Sequence, residues 1–176
     1  MNDLAQNLIA ILHKKKIDFE VVGSKITVGG YLDLQDCTGI TALPENLTVG
    51  GSLDLQDCTG ITALPENLTV GGSLDLRGTG ITALPENLTV GGSIIFDLDH
   101  QLTNISAFRK NCGNHNRTIY AVLVGDAFKC HAGCFAGSLD EFCSRVEKEY
   151  SAEGAKKYIA QMQECVDEVI SKIGSK

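Results

Sequence analysis

This chain should fold as a repeat solenoid of short stacked β-coils, for three reasons. The text LPENLTVGGSLDL occurs almost unbroken twice, and its parts recur four times. Equivalent residues keep a fixed step: Val28, Val49, Val70 and Val90 are separated by twenty-one, twenty-one and twenty residues. Leu34, Leu55, Leu76 and Phe96 follow the same steps, and Pro44, Pro65 and Pro85 keep the phase. Within each repeat, apolar and polar residues alternate over short stretches. A repeat this small cannot bury its apolar side alone, so neighbouring repeats must stack. Solenoids present extended binding surfaces, which leans against an enzyme.

Residues 1–17 are expected to form a capping helix, centred on 3–15. Leu4, Leu8, Ile11 and Leu12 make one apolar stripe, and Lys14 to Lys16 suit its C-terminal dipole. Such a helix would cover the open end of the stacked core. The solenoid is expected over 18–108, as about four coils of 20–21 residues. DFEVVGSKITV (18–28) alternates as a strand and leads into the first coil. Each coil then has two short alternating segments. One is L-T-V (47–49, 68–70, 88–90; I-T-V at 26–28), the other L-D-L (32–34, 53–55, 74–76; I-I-F at 94–96). Alternation sends the aliphatic residues inward and Thr or Asp outward. Gly-Gly pairs between them permit a tight corner with positive φ. Ile40 and Leu43, Ile61 and Leu64, and Ile81 and Leu84 supply a third apolar edge. The prolines lack an N–H for a ladder and belong at a corner.

The fourth coil degenerates after Phe96, and RKNCGNHNR (109–117) is the expected boundary loop. A ββαα module is expected over 109–176. TIYAVLVGDAFKCHAG (118–133) has the pattern of a hairpin turning at Gly125-Asp126. Ser138 with Glu141 is a capping-box signature for a helix to about residue 149. A longer helix from Ser151 carries the stripe Tyr158, Met162, Cys165, Val166, Val169 and Ile173, whose expected place is its own core.

Composition narrows the function. The 176 residues hold no apolar run of the ~18 residues a membrane span needs. The opening MNDLAQNLIAILHKKK lacks the layout of a signal peptide, so the expected location is the cytoplasm. Seven cysteines, an odd number, agree with a reducing compartment. A formal net charge of −7 argues against direct nucleic-acid binding and suits a basic partner.

The candidate binding residues lie on the L-D-L segments. Stacking in register would align Asp33, Asp54 and Asp75, with Gln35, Gln56, Arg77 and Asp97 beside them. Like charges on neighbouring strands are destabilising, so such a row points to a basic protein partner or to a copied, tolerated aspartate. Arg77 is placed to neutralise part of it. Cys112-x2-His115 and Cys130-His131-x2-Cys134 are zinc-capable types in two pairs, but the spacing is imperfect and buried thiols are the favoured reading. Cys130 or Cys134 as a nucleophile, with His131 or His115 as base and Asp126 or Asp140 to orient it, matches no catalytic signature. No phosphate-binding loop is present, and no cofactor is expected.

The spacing L-x-L-x-x-(C)-T-x-I-x-x-L-P-x-x-L-x-V, over roughly residues 26–105, resembles leucine-rich repeats, especially the short bacterial type with an LP corner. It departs in placing Thr38, Thr59 and Thr79 near the usual Asn ladder, and in an added L-x-V-G-G segment. A β-solenoid with leucine-rich character is the fold this implies. The wording is also similar to small repeat proteins of tailed phages and prophages, which commonly end in a segment like AGCFAGSLDEF. That resemblance implies a phage accessory factor that binds and inhibits a host protein, such as a defence component. The alternatives are a Cys/His enzyme or zinc module in 109–176, and a self-associating homodimer.

Overall fold

The computed structural model describes residues 3–98, 101–102, 105–113 and 115–174. Two compact units make up the chain, Met1–Asp97 and Leu98–Lys176. Among the described residues, no helix is long and apolar enough to cross a membrane.

The first unit opens with helix α1 (Asp3–Lys15), which buries Ala5, Leu8 and Leu12. Asp3 in its first turn and His13, Lys14 and Lys15 in its last complement the helix dipole. Residues 18–28, expected as one strand run, fold instead as an antiparallel hairpin of β1 (Phe19–Val22) and β2 (Lys25–Val28). Gly23, at φ +63°, allows the chain to reverse with Ser24.

Seven short strands follow: β3 (Leu32–Asp33), β4 (Leu47–Val49), β5 (Leu53–Asp54), β6 (Thr69–Val70), β7 (Leu74–Asp75), β8 (Thr89–Val90) and β9 (Ile94–Ile95). They stack as two parallel sheets. One runs β1-β2-β4-β6-β8, parallel from β2 onward, and the other runs β3-β5-β7-β9. Equivalent residues pair, Val49 with Val70 and Leu53 with Leu74. This is a β-solenoid of three full turns plus the two strands of a fourth, against about four expected. Its core is the repeated text itself: Ile26, Leu32, Leu34, Leu47, Leu53, Leu55, Leu68, Leu74 and Leu76 are all inaccessible to solvent.

The Gly-Gly corners have a different cause from the one expected. The described glycines with positive φ do not include them. What they need is room, because a Cβ on Gly50, Gly71 or Gly91 would collide with the carbonyl oxygen of the glycine one coil earlier. Left-handed backbone occurs instead at the other corners: Asp36, Asp57, Asn46 and Asn67 have φ near +59°. Asp and Asn tolerate that region better than other side chains. In the third coil Gly78 takes it over at φ +68°.

The second unit is an antiparallel meander of β10 (Ser106–Cys112), β11 (Arg117–Val124), β12 (Ala127–Ala132) and β13 (Phe135–Gly137), with two helices. The unit boundary therefore lies at Asp97/Leu98, ahead of the 108/109 expected. Most of the expected boundary loop is strand, because Arg109 pairs with Ile119 and Cys112 with Arg117. The expected ββαα module thus has four strands, its fourth made by FAG after the β12 turn. The hairpin at Gly125-Asp126 is present. Helix α2 (Leu139–Glu149) carries the complete capping box, Ser138 Oγ accepting from Glu141 N and Glu141 Oε2 from Ser138 N. Helix α3 (Ala152–Gly174) buries Tyr158, Met162, Cys165, Val166 and Val169 against the sheet, while Ile173 stays 38% exposed.

Candidate functional site

Parallel register brings Asp33, Asp54 and Asp75 into one row, which ends where Ile95 follows Asp75. Each aspartate first serves its own coil. Its Oδ1 accepts the backbone N–H two residues on: Gln35 and Gln56 at 2.9 Å, Arg77 at 3.1 Å. This Asx turn closes the coil corner, a local hydrogen bond that Asp and Asn can make and longer acids cannot make as well. The repeated aspartate therefore has a structural reason to be there.

The second oxygen distinguishes the three coils. Arg77 grips Asp75 through Nε and Nη2, the latter 2.6 Å from Oδ2, and also donates to Gln56 Oε1 at 2.8 Å. Asp75 is only 8% exposed, so its charge is neutralised within the protein. Asp54 Oδ2 accepts from the Tyr31 hydroxyl at 3.1 Å. Partial burial, that hydrogen bond and the nearby carboxylates push the Tyr31 phenol up to about 12. At Asp33 the Lys15 ammonium lies 3.8 Å from Oδ1, the oxygen that already accepts from Gln35 N, and the side chain remains half exposed. Asp97, beside the row, closes the third coil by accepting from Gly78 N at 2.9 Å.

Accessibility thus falls along the row, and its open end is the first two coils: Asp33, Gln35, Asp36 and Tyr31, with Asp54 and Gln56 behind. Tyr31, 53% exposed, was not among the residues predicted. Its signal was a break in the repeat, since Ser52, Ser73 and Ser93 occupy its position in later coils. Ser52 and Ser73 instead link coils, their Oγ atoms accepting from Ser73 N and Ser93 N.

Charge is divided as sharply as the fold. Residues 1–97 carry twelve acidic against five basic side chains, a difference of seven. Residues 98–176 carry ten of each. The whole net charge belongs to the solenoid unit.

Among the described residues, the Cys/His candidates of the second unit do not form a constellation. Cys112 and Cys130 are fully buried, whereas His115 and Cys134 are exposed. Among the described residues no three His, Cys, Asp or Glu come together to hold a metal ion. Burial pushes the Cys130 and Cys165 thiols up to about 12 and raises Cys112 as well. A thiolate is what attacks or binds metal, and an apolar core opposes it. His131, next to Cys130 on β12, stacks on Tyr120 at 4.3 Å and is 2% exposed. Burial, helped by Lys129, pushes it down to about 4, and its Nε2 has no hydrogen-bond partner.

No protein-family model matches the chain, and no match to it is found among curated proteins or solved structures.

Proposed function

We propose that this chain is a non-enzymatic binding protein whose solenoid takes a basic protein surface. The observation that carries the reading is the confinement of all seven net negative charges to the solenoid unit, where parallel stacking aligns the aspartates. A rigid acidic face attracts basic partners and raises their encounter rate. Asp33, Asp36, Asp54, Gln35 and Gln56 provide its accessible polar groups, and Tyr31 provides a half-exposed aromatic ring of the kind enriched at interfaces. The similarity in wording to phage-encoded repeat proteins makes a bacterial host protein the first partner to seek, with inhibition of that protein as the outcome.

The test uses asparagine, because charge reversal would also open the Asx turns. Combining Asp33→Asn, Asp54→Asn and Asp75→Asn in one chain keeps the turn-closing oxygen and deletes the charge. Immobilised wild-type chain is expected to retain a basic protein from bacterial lysate and release it as salt shortens the Debye length from about 8 Å to about 3 Å. The triple variant D33N/D54N/D75N should not retain it. Identical captured proteins on both columns would refute the role of this face.

A further inference from the structure

We propose that strand β1 is a docking edge, to which an extended basic segment of the partner adds as a further strand of the first sheet. The proposal rests on the reading of a basic partner and names the mode of contact.

The sheet order places β1 at the end, paired on one side only, with β2. Among the described residues no backbone hydrogen bond reaches the other side of residues 19–22. Glu20, Val21 and Val22 are exposed, Val22 by 74%. The two-residue turn makes Val22 and Lys25 its closing pair, so alternation directs the backbone groups of Phe19 and Val21 away from β2. β1 has no lysine, proline or bulge to blunt it; its protection is its length of four residues and the charge of Glu20, which a strand of opposite charge would satisfy.

Glu20, the one charged side chain of β1, selects the occupant by the charge placed opposite it, although Lys25 pairs with Val22 and Lys14 to Lys16 precede the strand. A cleft of about 440 Å³ over the face that β1 shares with β2 is lined by Asp18, Phe19, Glu20, Thr27 and Gly29. In the register that matches Phe19 with Val21 across a two-fold axis, a second copy of this chain sets Glu20 opposite Glu20, and like charges so placed are destabilising. A strand with lysine or arginine opposite Glu20 gains where the second copy loses. Main-chain hydrogen bonds supply affinity and alternate side chains supply selection, as in other strand additions.

The probe is a labelled peptide of alternating lysine and valine, titrated against the full chain by fluorescence anisotropy and by amide chemical shifts. Binding should shift the Phe19 and Val21 amides. Val21→Pro deletes only an outward N–H, and Glu20→Lys reverses the local charge; each should weaken binding about tenfold, the scale of one or two lost hydrogen bonds. Methylating alternate peptide nitrogens should do the same without touching the protein. Absence of binding, or unchanged affinity in Val21→Pro and with the methylated peptide, overturns the docking edge. Peptide-induced shifts confined to residues around Asp33 and Asp54 would overturn it too, while leaving the basic-partner reading intact. Equal binding of a glutamate–valine peptide at β1 would instead overturn the choice of a basic occupant.

Discussion

Gly29 and Gly71 occupy the same place in the repeat, yet alanine should act oppositely at the two. At Gly71 a Cβ would collide with the Gly50 carbonyl oxygen and come within 3.0 Å of its carbon. The stack cannot yield cheaply there, since Gly71 N donates to Val49 O at 2.8 Å and locks the two coils together. Forcing one extra carbon into such a contact costs about 1–3 kcal/mol. At Gly29, in the first coil, a Cβ meets nothing within 4 Å. Both substitutions also reduce the entropy of the unfolded chain, which stabilises by about 0.4–1 kcal/mol. That gain is common to both, so the gap between them is the overpacking cost alone, about 1–3 kcal/mol. With a urea slope of about 2 kcal/mol/M, the solenoid transitions of G29A and G71A should separate by about 0.5–1.5 M, G29A being the more stable. Circular dichroism during urea titration measures this. Coincident midpoints would refute the claim that coil-on-coil contact, and not corner conformation, requires these glycines.

Three further outcomes follow from the geometry. Asp54→Ala should lose about 0.5–1.5 kcal/mol in thermal or urea unfolding, because Gln56 N loses its acceptor, whereas Asp54→Asn should lose much less. His131 is neutral in the fold with its pKa below the unfolded value, so its contribution is complete above about pH 6.5 and declines as pH falls toward 4. That decline is on the order of 3 kcal/mol, and His131→Phe, which keeps the stack on Tyr120, should remove it from the stability-versus-pH curve. A thiol reagent should modify exposed Cys134 first and leave Cys58, Cys112, Cys130 and Cys165 untouched until the chain unfolds.

The solenoid was legible because each inward residue is repeated in phase, and burial follows that phase: Leu47 and Val49 are inaccessible with Thr48 between them half-buried. The β1–β2 reversal was obscured because Gly-Ser inside an alternating run resembles a continuing strand until the edge pairing is seen. The strand 106–112 was missed for a related reason. SAFRKNC places lysine and asparagine on a strand whose outer face is solvated, so alternation is weak. In the candidate site the alignment of Asp33, Asp54 and Asp75 was readable from the period alone. Their unequal fates were not, because they depend on Lys15, Tyr31 and Arg77, two of which approach from another coil or from α1.

Coil length, the inward residues, the parallel register, the capping box of α2 and the net charge can all be read from the linear chain, since each is a local or periodic property. Which glycines are sterically required emerges only on folding, because that depends on a neighbour one coil away. So does the position of the unit boundary, at Asp97/Leu98, although the division of the −7 into an acidic solenoid and a neutral second unit is a count along the chain once that boundary is set. The same holds for which carboxylates stay available, because a side chain two residues along or one coil away can occupy an oxygen that alternation merely points outward.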